Sequence, residues 1–202
     1  MDKGKWLDLM GRLGFDSNIE TYSTLMAHYS QKHRHYHNAN HIDATLKSLG
    51  QVKQLANDYN ALEIALWFHD AIYKIFSSSN ELDSANWAAD FLKKNNANEY
   101  FIENVHGLIM ATLHNAAVPD SDERLIVDID LSILGCNSEL YEQFESWVRK
   151  EYSLIPSFIY KKKRKAILEG FLSRERIFSH DYFFEKLEAS ARENLINAIN
   201  SL

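Results

Sequence analysis

The chain has 202 residues, of which 46% are hydrophobic and 25% charged, and its formal net charge is −6. That length allows one good-sized core or two small ones, and the acidic balance argues against a general coat for nucleic acid. The one cysteine, Cys136, excludes an internal disulfide and suits a reducing compartment. No apolar run has bilayer-spanning length, and the opening MDKGKWLDLMGRLG lacks the unbroken apolar stretch of a signal peptide. A cytoplasmic location is therefore expected, with neither a membrane nor a nucleic-acid duplex as partner.

Only 7 glycines and 2 prolines interrupt the chain, and apolar residues recur at helical spacing almost throughout. A first helix is predicted over Lys5 to Leu13. A second follows Asp16 and Ser17, either of which suits an N-cap. KHRHYHNANH reads as a polar, histidine-rich loop. Asn38 or Asn40 is expected to cap a third helix, from about His41 to Ala56. A fourth starts after Asn60 and contains WFHDAIY, residues 67 to 73. Asn80 is expected to cap a fifth helix, ELDSANWAADFLKK, and a sixth spans Tyr100 to His114. NAAVPDSDE reads as a loop. RLIVDIDLSILG is predicted helical, although IVDIDLSI alternates briefly as a strand would. Its terminal Gly135 suits a helix C-terminus. SELYEQFESWVRKEYSLI forms a helix that stops near Pro156, and two more fill Pro156 to Phe178 and Tyr182 to Leu202. No repeat, long linker or composition shift marks a boundary, so a single all-α domain is expected.

WFHDAIY sets His69 and Asp70 side by side in a very apolar stretch. On a helix running through it, Leu62, Ala65, Leu66, His69, Ile72 and Tyr73 share one face. His69 is then inward and Asp70, rotated by about 100°, lies at the edge of that stripe. Burying a carboxylate there is costly unless it is paired or bound to a metal. One reading is a core histidine bonded to a backbone carbonyl, with Asp70 on a wetter face. The other is a metal site. His41 in NANHID, and Asp128 and Asp130 in VDIDLS, also stand in apolar settings. Two imidazoles and two carboxylates suit Mn, Fe, Zn, Ni, Co or Mg better than a soft metal, and they leave positions open for water and substrate.

In this order, His41, then His69 with Asp70, then Asp130, the chain resembles the HD superfamily of metal-dependent phosphohydrolases. Twenty-eight positions separate His41 from His69, and 60 separate Asp70 from Asp130. RHYHNANHI, WFHDAIY, NELDSA, IMATLHN, DIDLSILG, EYSLIP, FLSRERIF and ARENL resemble a bacterial branch of HD phosphohydrolases, over nearly the whole length. The resemblance implies a helical bundle with a metal-binding core at about residues 16–135 and C-terminal helices, 137–202, packed on it. It implies one divalent ion held by His41, His69, Asp70 and Asp130. Asp130 is preferred to Asp128 because the superfamily ends its motif on an aspartate followed by Leu or Arg-Leu; Asp128 is the fallback. Some members carry a glutamate three residues after the HD pair, where this chain has Tyr73.

The implied activity is hydrolysis of a small phosphate ester, such as a nucleotide, by metal-activated water. The alternative is a non-catalytic metal-containing module that binds a phosphorylated ligand. Asp70 would hold the water, and Glu81 or His114 would act as general acid or base. Arg34, Tyr36, His37, Tyr73 and Lys74 are candidate substrate contacts, and oligomerisation is left open. His37 is expected to precede the third helix, His33 and His35 to be solvated, and His106 to be structural. The basic run Lys161 to Lys165 reads as a solvated helix face.

Overall fold

The computed structural model describes residues 1–114 and 121–202. It is all-helical, with no strand among the described residues. In chain order the helices are α1 (Lys3–Leu13), α2 (Ile19–Tyr29), α3 (Ala39–Gln51), α4 (Tyr59–Phe68), α5 (Asn80–Lys94), α6 (Glu99–Ala111), α7 (Ser121–Asp130), α8 (Ser138–Glu151), α9 (Ser157–Leu172) and α10 (Asp181–Ser201). Short 3-10 turns cover Lys53–Leu55 and Leu131–Gly135. The ambiguous IVDIDLSI is helix and 3-10 turn, not strand. The loop expected at NAAVPDSDE falls largely outside the described residues, and α7 already begins at its Ser121. No helix among the described residues is long and apolar enough to cross a membrane.

Short polar side chains start the helices by satisfying amides that have no partner inside the helix. Asp2, Asn38, Asp58, Asn98 and Asn137 each accept an N–H from the first turn they cap. Two expected caps move. Asn18, not Asp16 or Ser17, precedes α2. Ser79 precedes α5, because Asn80 Oδ1 instead accepts the Lys74 N–H at 2.9 Å.

The chain forms two compact units, Met1–Val127 and Asp128–Leu202. In the first, α4 is packed by α1, α3, α5 and α6. Every residue from Ala61 to Phe68 is buried, so the helix is enclosed all round rather than striped. Trp6, Trp67, Phe68 and Phe91 meet around it at ring separations of 5.3–6.5 Å. In the second unit, α10 packs on α8, α9 and the 3-10 turn at Leu131–Gly135.

Aspartates on α7 cap two other helices. Asp122 accepts the Asn57 and Asp58 N–H groups ahead of α4, at 2.8 and 2.7 Å. Asp128 accepts those of Ser179 and His180 ahead of α10, also at 2.8 and 2.7 Å. An anion at a helix N-terminus is favoured by the dipole.

Candidate metal centre

His41 lies in the first turn of α3, placed there by the Asn38 cap, and is buried. His69 follows the last residue of α4 and is 1% exposed. Its Nδ1–H donates to the Leu66 carbonyl at 3.0 Å. That bond assigns the remaining lone pair to Nε2. His69 Nε2 faces His41 Nε2 at 3.1 Å. Asp70 Oδ2 stands 3.3 Å from the first and 3.4 Å from the second. His41, His69 and Asp130, the last residue of α7, each offer a ligand atom, all within 4.8 Å of one another. This group, its two histidines buried and Asp130 half-buried, can hold a metal ion.

The donor set fits a divalent cation. Two imidazole nitrogens and carboxylate oxygens suit a borderline or hard ion. A cation between them satisfies the facing nitrogens and the carboxylates together, whereas one proton shared between the rings satisfies a single contact. The two readings of His69 are compatible: the carbonyl bond orients the ring and leaves Nε2 turned toward His41 and Asp70. Burial pushes the Asp70 carboxyl up, but the His69 and His37 imidazoles, with the contacts from His41 and His69, hold it well below its ordinary value.

The segment carrying the pair departs from the predicted geometry. α4 ends at Phe68, so Asp70, Ile72 and Tyr73 lie beyond the helix. Its backbone groups find partners elsewhere. Arg34 donates to the carbonyls of Asp70 at 2.6 Å and Ala71 at 2.9 Å. His28 Nδ1–H also reaches Ala71 O, and His33 Nε2–H reaches Tyr73 O. On the other side, Ser84 Oγ accepts the Ile72 N–H and Asn80 Oδ1 that of Lys74. Side chains from α2, the turn after it and α5 replace the ladder a helix would have supplied.

Two expected roles change as a result. Arg34 is 5% exposed, and it also donates to Gln31 Oε1 and the His37 carbonyl. Its fork is occupied by the protein backbone and is not presented to a phosphate. His33 is not simply solvated, since it holds the Tyr73 carbonyl. His28 and His33 were absent from the expected site. Their signal was weak: histidines at the end of an amphipathic helix and just after it.

The other candidates surround the centre unevenly. Tyr36 packs on His41 with ring centroids 4.8 Å apart. His37, in the turn before α3 as expected, stacks on the buried Tyr73 at 4.3 Å. Glu81 opens α5 within electrostatic reach of Asp70, His114 and His37. Burial lifts its carboxyl; its own backbone N–H opposes this and the Asp70 charge adds to it. His114 follows α6, which ends at Ala111, and takes a left-handed φ of 56°. Lys74 is exposed and turned to Asp83 at 3.4 Å. Asp128, the fallback ligand, is committed to the Ser179 and His180 amides, and burial pushes its carboxyl up to about 6 against those bonds. No family model, curated protein or solved structure matches the chain.

Proposed function

We propose that the chain is a metal-dependent phosphohydrolase of the HD type, acting on a small phosphate ester such as a nucleotide. The observation that carries this reading is the convergence of His41 Nε2, His69 Nε2 and Asp70 Oδ2 within 3.4 Å. A divalent ion held by these residues and Asp130 supplies Lewis acidity toward a phosphoryl oxygen and lowers the pKa of coordinated water. Asp70, kept ionised by its imidazole neighbours, orients that water. Glu81, within electrostatic reach of Asp70, would take the part of the glutamate missing at position 73; its lifted carboxyl is a suitable proton acceptor. His114 shares that side and is the candidate donor to the leaving oxygen. The His37–Tyr73 stack and Tyr36 form an aromatic wall beside His41 for the organic part of the ester.

The test is metal analysis of the full chain purified without chelator, then a screen of phosphate esters with each of Mn, Fe, Ni, Co, Zn and Mg added. Retention of metal with turnover abolished in Asp70→Ala supports the proposal. That variant keeps the Asp70 carbonyl that Arg34 holds. Less than about a tenth of an equivalent of any ion after reconstitution refutes the metal centre. Full metal with no turnover on any ester favours the ligand-binding module.

A further inference from the structure

The turn between α8 and α9 exposes side chains that a water-facing loop has no use for. Leu154 is 75% exposed and Phe158 is 74% exposed; Ile167, further along α9, is 51% exposed. The turn is tied down. Arg149 donates to the carbonyls of Tyr152 at 2.6 Å and Ile155 at 3.2 Å, and the Ile155 N–H returns to Tyr152 O at 2.9 Å. The Arg149 guanidinium sits 4.7 Å over the Tyr160 ring, whose side chain is buried. Leu154 and Phe158 are thus held outward by an ordered turn.

Basic residues follow at once. Lys161, Lys162, Lys163 and Lys165 are exposed, while Arg164 alone turns inward to Glu145 at 2.5 Å. No carboxylate pairs with Lys161, Lys162 or Lys163 among the described residues, and Lys165 reaches only Glu169, at 3.9 Å. Phe158, Lys162 and Lys165 recur at helical spacing, as do Ile159, Lys163, Ala166 and Ile167. The exposed face of α9 therefore interleaves apolar side chains with lysines, three of which have no carboxylate partner among the described residues, in a protein that is acidic overall.

We propose that this turn and the outer face of α9 dock on a membrane surface rich in anionic lipid. Leu154 and Phe158 enter the boundary between headgroups and acyl chains, and the lysines stay at headgroup level with their stems along it. Charge complementarity selects this occupant. A second copy meeting the same face about a two-fold axis would bring lysine rows together. Nucleic acid would use the lysines but leave Leu154 in water. Docking on a surface needs no spanning segment, so it stands apart from the spanning criterion that led the sequence reading to expect no membrane partner. It is also independent of the metal centre.

The experiment is co-sedimentation of the full chain with phosphatidylcholine vesicles, either pure or containing about 30% phosphatidylserine. Binding is expected only to the anionic vesicles, and it should be lost at about 0.5 M salt. Leu154→Ser with Phe158→Ser should weaken it by at least about tenfold, and so should Lys162→Glu with Lys163→Glu. The second pair removes no apolar contact and keeps the test decisive should the first disturb folding; an unchanged circular-dichroism spectrum and Tm verify both. Equal binding to the two vesicle types, no binding to either, or full binding by either double variant overturns the proposal. So does a dimer that dissolves in Phe158→Ser, or retention on duplex nucleic acid instead of vesicles.

Discussion

Gly135→Ala is the sharpest test of how the second unit is packed. Gly135 closes the 3-10 turn that follows α7, and α10 lies directly on it. A Cβ placed there would stand 2.5 Å from Leu187 Cβ, 2.8 Å from its carbonyl oxygen and 3.0 Å from its Cα. Carbon atoms rest at about 3.5–4.0 Å, so α10 must retreat by roughly 1 Å at this point, and no side-chain rotation relieves contact with backbone atoms. Overpacking of this kind costs about 1–3 kcal/mol. With rigid backbone on the receiving side, we expect the upper half of that range, near 2 kcal/mol or above. At about 2–4 °C per kcal/mol for a chain of this size, Tm should fall by roughly 4–12 °C. The assay is thermal and urea unfolding followed by circular dichroism, with Gly107→Ala as control. A Cβ at Gly107 meets only Glu123 Oε1, at 3.5 Å, inside α6. The control should match or slightly exceed the parent. A Gly135→Ala protein melting within about 1 °C of the parent would show that the contact with α10 yields freely, and would refute the reasoning.

Arg34→Ala removes donors to the carbonyls of His37, Asp70 and Ala71. Loss of about 2–4 kcal/mol is expected, read as a urea midpoint, together with reduced metal retention although no ligand is touched; Arg34→Lys should not restore the protein, because one ammonium cannot span the fork. Glu63, buried in α4 and paired with Arg12, has its carboxyl raised above the ordinary value by burial, with the Arg12 guanidinium opposing. Its folded pKa therefore exceeds its unfolded one, and its contribution to stability declines as pH rises from the ordinary glutamate value, about 4.3, through the raised one. Glu63→Gln should flatten that part of a plot of urea midpoint against pH; an unchanged slope would assign the decline to other groups.

The helices were legible because apolar spacing and short polar caps are local signals. The inward placement of His69 was legible for the same reason, since it shares a stripe with residues that bury; His41 was singled out as a ligand by the resemblance, and its burial came from the fold. The end of α4 was not. No proline or glycine stops it at Phe68. It stops where Arg34, His28 and His33, more than 30 positions away, take the carbonyls of the next residues. Periodicity alone cannot find a terminator supplied by tertiary contacts. Gly135 was noticed as suiting a helix C-terminus, but only Gly14 among the glycines has positive φ; the need at 135 is for space against Leu187. Asp128 and Asp130 looked alike from their apolar surroundings. What separates them is two amides at 179 and 180 that lie some 50 positions downstream.

The tethering of the His69–Asp70 segment makes the ligand geometry depend on parts of the chain far from it. The segment has no regular structure of its own beyond Phe68, and its partners arrive from the end of α2, the turn after it and the start of α5. Its fixed geometry requires those elements to be docked, so the ligand arrangement belongs to the whole first unit and not to α4 alone. An ion that requires this geometry binds the native state and not the unfolded chain. At a concentration a hundredfold above its dissociation constant it would add about 2.7 kcal/mol of stability. Moving His41, His69 and Asp70 onto another helical bundle would carry over the ligand atoms and leave behind the order that aims them.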